Sequence, residues 1–403
     1  MEIRPVFASL RKHRIPAMLI VLEIALACAV LCNAVSMIGQ RVNDVRLSNA
    51  IDEQGVAVVS VDGNNPALIA SDIPRNLAAL RGIAGVQAAA VVSTLPLSHN
   101  NWGWSFGLTP DSLLTDKDTT NISMYFLGQG GPEALGLQLL QGRFFNGDEY
   151  AGSALNGSPL PSTHVAVVTR RLAEQLWPGQ PALGKTFYSK PYAYTVVGVV
   201  ADVLRPSVNA TNVYQSAFFP LSGDASLSHY VLRSAPQDRD RVVREAEQKL
   251  ADLDGTTVAK GVSYEDIRTR YFANTSSMAW LLVLVCVVML AVTALGIVGL
   301  TSFWVGQRRR QIGIRRAVGA SRGHIRQYFQ TENFVLTTAG VVIGMGLAFV
   351  LNVYLMRHYE MRMMPWYYLP AGAIALWLLG QLAVLGPAMR AAAVPPVVAT
   401  RSV

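Results

Sequence analysis

Apolar residues gather in four windows of the chain, Ile15–Gly39, Met278–Val305, Phe334–Met356 and Trp366–Met389. Each is long enough for the roughly 20 residues that cross a hydrocarbon core as a helix. Between the first and second windows the pattern changes to short alternating runs over about 235 residues, a size that suits a one- or two-lobed domain. Here VAVVSVD (56–62) and VQAAAVVS (86–93) read as strands on either side of a helical SDIPRNLAALRGIAG. The stretch LSHNNWGWSFGLTPDS has little periodicity. A strand around ISMYFL, a helix around PEALGL and a turn at QGRFF follow. HVAVVT then reads as strand, RRLAEQLW as helix and YTVVGVVADV as a strongly apolar strand. HYVLRSA is strand, DRDRVVREAEQKLADLD an amphipathic helix and TTVAKGV strand. The first and last units pair as one lobe made of two βαβ units, with the middle inserted as a second lobe. Helical patterns also run past the first window and into the second, so a two-helix stalk is expected beneath this domain.

Composition supports a membrane protein. Hydrophobic residues make up 51% of the 403 and charged residues 15%, with mean hydropathy +0.30, whereas soluble domains carry about a quarter charged residues. The net charge of +8 is a matter of topology. Arg4, Arg11, Lys12 and Arg14 flank the first window, seven arginines from Arg308 to Arg326 fill the gap between the second and third, and Arg390 and Arg401 follow the fourth. Between the first and second windows acidic residues outnumber basic ones. Basic loops stay cytoplasmic, so both termini and the arginine-rich loop are expected inside and the large domain outside, in the periplasm. The first window is longer than a signal-peptide core and reads as a retained anchor. No nucleic-acid-binding module is visible. Cys28, Cys32 and Cys286 all fall inside expected spans, so the outer domain must fold without disulfides.

Two motifs spell chemistry in the wrong context. Gly179–Thr186 matches G-x-x-x-x-G-K-[ST], but helical RRLAEQLW precedes it and an extended TFYSKPYAYTVVGVV follows. A phosphate loop needs the reverse order, a strand before and a helix after. Pro181 also removes an N–H, so the match reads as a turn. Gly319–Gly323 spells G-x-S-x-G without a strand before it or placed triad partners. Six histidines lack metal-site spacing, so no metal and no catalytic residue is expected. Inside the spans, Gly340, Gly344 and Gly346 offer a small-residue packing face. Glu23, a charge deep in the first span, is read as a packing or hydrogen-bonding residue rather than a proton carrier.

The most informative segment is QRRRQIGIRRAVGASRGHIRQYFQTENF. Ile312, Ile314, Val318, Ile325 and Phe329 interleave with arginines, as in a short amphipathic helix lying along a membrane. It resembles the coupling region of MacB/FtsX-type ABC transporter permeases, R-x-x-E-I-G-I-R-x-A-x-G-A. Arg309 or Arg310, Ile312, Gly313, Ile314, Arg315, Ala317, Gly319 and Ala320 fall on that pattern, and Gln311 replaces its Glu. Arg316 and Val318 complete the candidate ATPase-coupling site, Arg309–Ala320. The likeness continues at Leu135, Gly136, Leu137, Leu139, Leu140, Gly142, Arg143 and Phe145, on L-G-I-x-L-L-x-G-R-x-F. It extends through LAEQLWPGQPALGKTF, YTVVGVVADV and the closing GPAMRAAAVPPVVATR. Glu332 matches an acid common in the family and is placed to pair with loop arginines.

The resemblance implies an α-helical membrane domain of four transmembrane helices and a two-lobed α/β ectodomain, porter-like plus inserted lobe, between helices 1 and 2. The expected layout is a cytoplasmic N-terminus (1–14), helix 1 (15–39), ectodomain (40–277, with the porter-like lobe about 52–95 and 225–265 and the inserted lobe about 96–224), helix 2 (278–306), coupling loop (307–329), helix 3 (330–356), helix 4 (366–389) and cytoplasmic tail (390–403). It implies a mechanotransmitting efflux permease of the bacterial inner membrane, with ATP-Mg bound by two copies of a separate ABC ATPase docked on the coupling loop. A second permease chain, identical or related, completes the dimer, and a periplasmic adaptor and outer-membrane channel are expected in a Gram-negative host. Lipoprotein extraction of the Lol type and FtsX-like signalling to a cell-wall hydrolase are the alternatives.

Overall fold

A computed structural model describes residues 14–62, 69–111, 119–208, 212–224, 226–254, 258–359 and 363–393. The start of the expected cytoplasmic N-terminus, through residue 13, and the tail from residue 394 lie outside the described residues. The chain forms two compact units, one of residues 46–274 and one combining 1–45 with 275–403.

The first unit is a mixed α/β domain on an 11-stranded sheet. One half comprises β1 (Val56–Asp62), α2 (Ile69–Arg81), β2 (Val86–Val92), β10 (His229–Ser234), α6 (Arg239–Leu253) and β11 (Val258–Ser263). Its strands run in the order β11-β1-β10-β2, each antiparallel to its neighbour. The expected βαβ units are therefore interleaved. β10 enters between β1 and β2, and β1 lies between β10 and β11, so each helix crosses over one strand position, as in split βαβ folds. Helices cover one face: Leu77 and Leu80 of α2 and Val242, Ala246 and Leu250 of α6 share a core with Val59, Val91 and Leu232. Alternate residues Val58, Ala90 and Val231 enter a second core on the opposite face, with Leu135 and Tyr264.

The other half holds β3 (Gly103–Phe106), β4 (Thr120–Leu127), β5 (Leu139–Gly142), β6 (Val165–Thr169), β7 (Thr186–Ser189), β8 (Tyr192–Val200) and β9 (Ser216–Pro220). It also carries the short helices α3 (Gly131–Leu135), α4 (Gly147–Ala151) and α5 (Arg170–Leu176). It joins the first half at one strand pairing, Val92 opposite Leu127. Pairings β3-β4-β9-β6-β8-β7 form a ring. Reciprocal hydrogen bonds close it, from Gly107 N to Tyr188 O (2.9 Å) and from Tyr188 N to Gly107 O (2.8 Å). Phe106, Phe187, Tyr194 and Phe219 fill its interior, mostly edge to face. The segment Gly179–Thr186 leads from α5 to β7, with Gly179 and Gly184 at φ +70° and +76°. It is a turn that opens a strand, so no helix N-terminus stands behind it to hold a phosphate.

The second unit contains α1 (Arg14–Val45), the greater part of α7 (Tyr264–Gln307), α8 (Arg309–Ala317), α9 (Arg322–Tyr359) and α10 (Tyr368–Ala392). α1, α7, α9 and α10 are each long and apolar enough to cross a membrane. α9 begins well before the expected span, so Arg322 and Arg326 lie on its first turns. α1 packs closely on α9. A Cβ at Gly340 would come within 2.8 Å of Ile24 Cβ, and one at Gly344 within 2.7 Å of Ala25 O. Glycine at these two positions, one turn apart, lets the backbones approach. Gly346 does not belong to this face. A Cβ there meets nothing within 4 Å, because two residues rotate about 200° around a helix. On the facing side of α1, Cys28 and Cys32 are buried, and Cys32 Sγ lies opposite Gly372 of α10. Glu23 is half-buried, with its carboxylate against Gly296 of α7, where any Cβ would collide with it.

Candidate functional site

The helical trace breaks at Arg308 (φ −102°), between α7 and α8. α8 then ends on Gly319, whose φ of +105° only glycine adopts without strain. The N–H groups of Val318, Gly319 and Ala320 bond back to the carbonyls of Ile314, Arg316 and Arg315 at 3.0, 3.1 and 3.0 Å, which satisfies the last turn of the helix. Ser321 Oγ accepts from His324 N at 3.2 Å and starts α9. The sequence GASRG is thus a helix stop followed by a helix start.

The structure separates the apolar residues of this segment into two sets. Ile312 and Gly313 turn inward, and Ile312 joins Ile325 and Phe329 in the apolar core of the bundle. Ile314 (49% exposed) and Val318 (84%) face out, one turn apart. Arg309, Arg310, Gln311, Arg315 and Ala317 are also exposed, and Arg316 is half-buried. The single amphipathic face expected from the sequence is two opposed faces, one docked and one open.

Three contacts pin the docked side. Arg308 donates to both carboxylate oxygens of Glu332 on α9 (3.2 and 3.3 Å) and stands 5.7 Å from the Trp304 ring. Arg315 lies over Tyr328 of α9 at 5.1 Å. Arg316 Nη1 donates to the Ala392 carbonyl at the end of α10 (3.0 Å). The sequence places Glu332 near basic residues but does not single out Arg308, Tyr328 or Ala392. Those partners follow from the break at Arg308, which no local pattern announces. Gln311, in the place of the family's acid, is exposed.

The other end of α7 belongs to the α/β unit. Tyr264 OH accepts from Asn49 Nδ2 (2.9 Å) and donates to the Pro96 carbonyl (3.2 Å). Arg268 pairs with Glu53 at 2.6 Å and donates to the Leu47 carbonyl at 2.6 Å. The Tyr271 ring stacks on His99 at 4.3 Å, and its hydroxyl accepts from Val208 N at 2.8 Å. Nearby, Arg205 is buried and donates to Ser123 Oγ (2.6 Å) and Asn121 Oδ1 (2.7 Å). Burial lowers its pKa and raises that of Tyr264. α7 is one unbroken helix of 44 residues, about 66 Å at ~1.5 Å per residue.

Residues 283–396 match the family described as FtsX-like permease C-terminal. Residues 17–249, more than half the chain, match the MacB-like periplasmic core domain. The chain belongs to the MacB/FtsX-like permeases. The permease is a multi-pass membrane protein whose mixed α/β ectodomain lies between its first and second long apolar helices. It is 26% identical over 245 residues to the macrolide export ATP-binding/permease protein MacB of Neisseria gonorrhoeae, covering 58% of this chain and 36% of that one. It thus spans about a third of the length of such relatives. It is 23% identical over 296 residues to the uncharacterized ABC transporter permease YknZ of Bacillus subtilis, covering 71% of each chain. Among solved structures, the extracellular domain of the noncanonic ABC-type transporter YknZ from Gram-positive bacteria aligns at 15% identity with TM-score 0.34, over 50% of this chain and 99% of that one. The periplasmic region of MacB from Actinobacillus actinomycetemcomitans aligns at 14% identity with TM-score 0.37, over 57% of this chain and 97% of that one.

Proposed function

We propose that the permease is the membrane subunit of an ATP-driven export system and that α8 receives the motion of a separate ABC ATPase. ATP-Mg is bound by that partner, in two copies, beneath a dimer of permease chains. The observation that carries this reading is the open face of α8. Ile314 and Val318 stand exposed on a helix whose other side is tied to α9 and α10 by Arg308, Arg315 and Arg316. An exposed apolar pair rimmed by Arg309 and Arg310 suits insertion into a partner's surface. The anchored side then carries displacement into the bundle.

Arginine placement supports a bacterial inner-membrane orientation with termini and α8 cytoplasmic. The grip on Tyr264, Arg268 and Tyr271 supports α7 as the element that passes motion outward to the ectodomain. In a Gram-negative cell, that domain would work with a periplasmic adaptor and an outer-membrane channel. Copurification with the ATPase tests the reading. Ile314→Asp with Val318→Asp is expected to release the ATPase or remove its stimulation by the permease, while the permease itself still folds. Full retention of ATPase binding and stimulation in that variant sinks it. Recovery of a lipoprotein chaperone or a cell-wall hydrolase in place of the adaptor redirects it to lipoprotein extraction or signalling.

A further inference from the structure

The α/β unit carries an open cleft of about 630 Å³, within the roughly 300–1,000 Å³ that suits small organic ligands. Its walls come from several parts of the chain. Asp52 and Glu53 lie on the approach to β1, and Glu133 and Leu137 on α3 and its exit. Arg233 comes from β10 and Phe144 from the residues after β5. The wall between α3 and β1 is closely built. Asp52 N donates to the Leu135 carbonyl at 3.1 Å. Gly136, at φ +67°, lets the chain leave α3 hard against Asp52, where a Cβ would come within 2.8 Å of Asp52 Cβ.

Charge in these walls is unequal, with three carboxylates against one guanidinium. Arg233 Nε pairs with Asp52 at 3.0 Å, and its Nη1 donates to the Glu133 backbone carbonyl at 3.4 Å. The other oxygen of Asp52 accepts from Gly55 N at 3.1 Å. Glu53 is held by Arg268 of α7 at 2.6 Å. Glu133 is exposed, and its carboxylate enters no ion pair among the described residues. Beside these groups the cleft offers apolar surface, the buried Leu137 and the half-buried Phe144.

We propose that this cleft binds an organic cation of small-molecule size, an ammonium or guanidinium carried on an apolar body. The room decides the size of the occupant, and the wall chemistry decides its sign. Glu133 supplies the direct charge contact, because Asp52 and Glu53 are already held by their arginines and add only to the negative field. The apolar body lies along Leu137 and Phe144, and an aromatic ring is itself a good neighbour for a cation. An anion would face the three carboxylates and could be met by Arg233 only at the expense of Asp52. A bare metal ion fits poorly, since no group of three His, Cys, Asp or Glu among the described residues converges to hold one. The site belongs to the α/β unit alone and does not depend on ATPase docking at α8.

The test uses the full chain in phosphatidylcholine nanodiscs, with empty nanodiscs as the blank, and calorimetric titration. The probes are phenylbutylammonium, phenylbutanol and phenylbutyrate, one skeleton carrying positive, zero and negative charge. The cation is expected to bind at least about fivefold more tightly than the alcohol, the worth of one partly exposed charge contact, and the anion most weakly. Glu133→Gln should remove that advantage and leave the alcohol unchanged, and Glu133→Lys should abolish binding of the cation. Phe144→Ala should weaken cation and alcohol alike. Glu174→Gln, at an exposed acid outside the cleft, should change nothing. Thermal unfolding shows that each variant is folded. Failure of the cation to bind, equal binding of the three probes, or an unchanged preference in folded Glu133→Gln and Glu133→Lys overturns the proposal.

Discussion

The ion pair between Arg308 and Glu332 is the most buried charge pair at the start of α8, and its removal has a calculable signature. The two side chains retain 11% and 2% of their exposure. Breaking a buried pair by deleting one partner costs about 3–5 kcal/mol, whereas replacing both with apolar groups is often near neutral. Arg308→Met leaves the nearly inaccessible Glu332 carboxylate without this guanidinium, so its cost belongs near about 4 kcal/mol. Glu332→Leu strands Arg308, which is the more exposed partner and keeps the Trp304 ring. Its cost is expected to be nearer about 2 kcal/mol. The double variant should cost less than Arg308→Met alone, which gives a coupling energy of at least about 2 kcal/mol. Equilibrium unfolding of the four proteins in mixed micelles measures this cycle. Additivity within about 0.5 kcal/mol would show that the pair does not hold α8, and the anchoring argument would fail with it.

The glycine face yields a sharper contrast from smaller changes. Gly344→Ala puts a methyl within 2.7 Å of Ala25 O and should cost about 1–3 kcal/mol by overpacking. Gly346→Ala meets open space and should be neutral or stabilise by up to about 1 kcal/mol through helix propensity; equal thermal shifts for the two variants would contradict the packing described. A pH effect follows from Glu149, whose carboxylate takes two bonds from Arg143 (2.7 and 2.8 Å) and one from Asn146 N (2.7 Å). Arg143 holds the pKa of Glu149 below its ordinary value. A group with a depressed folded-state pKa stabilises above its unfolded value, about 4.3, and loses that contribution as pH falls through the folded value. Because Arg143 is nearly half-exposed, Glu149→Gln should cost only about 1 kcal/mol at neutral pH. The loss should vanish once the acid limb is passed, and a penalty that persists below that range, read from urea unfolding, would count against the pair.

Much of this was legible from the chain alone because the signals were long or repeated. The apolar windows showed the four long helices, and alternation with β-branched residues showed β1, β2, β4, β6, β8 and β10. What was missed is short or lacks a period. β3 is four residues, GWSF, inside a stretch with no sustained alternation. β9, SAFFP, is buried along its whole length and so shows no polar–apolar rhythm. β5, LLQG, ends in a Gln-Gly pair that reads as a turn, although it pairs with β8. The interleaving of β10 between β1 and β2 is a long-range choice that local pattern cannot express. Composition alone groups Gly346 with Gly340 and Gly344. Its helical phase, readable from the numbering, separates it from them.

The arginine-rich segment shows why a motif and its geometry carry different information. Its spelling resembles a coupling region, yet the letters alone made one amphipathic stripe of Ile312, Ile314, Val318, Ile325 and Phe329. Folding sorts them by one decision, the break at Arg308, whose side chain pairs with Glu332 on another helix. Once α8 starts there, Ile312 falls on the inner face, and Ile314, two residues on, falls about 200° away. Exposure of Ile314 and Val318 is therefore a consequence of where α8 starts rather than of local hydrophobicity. If Arg308→Met frees α8, its hydrophobic residues should bury themselves in the lipid interface. Loss of the open face would then precede any loss of the bundle.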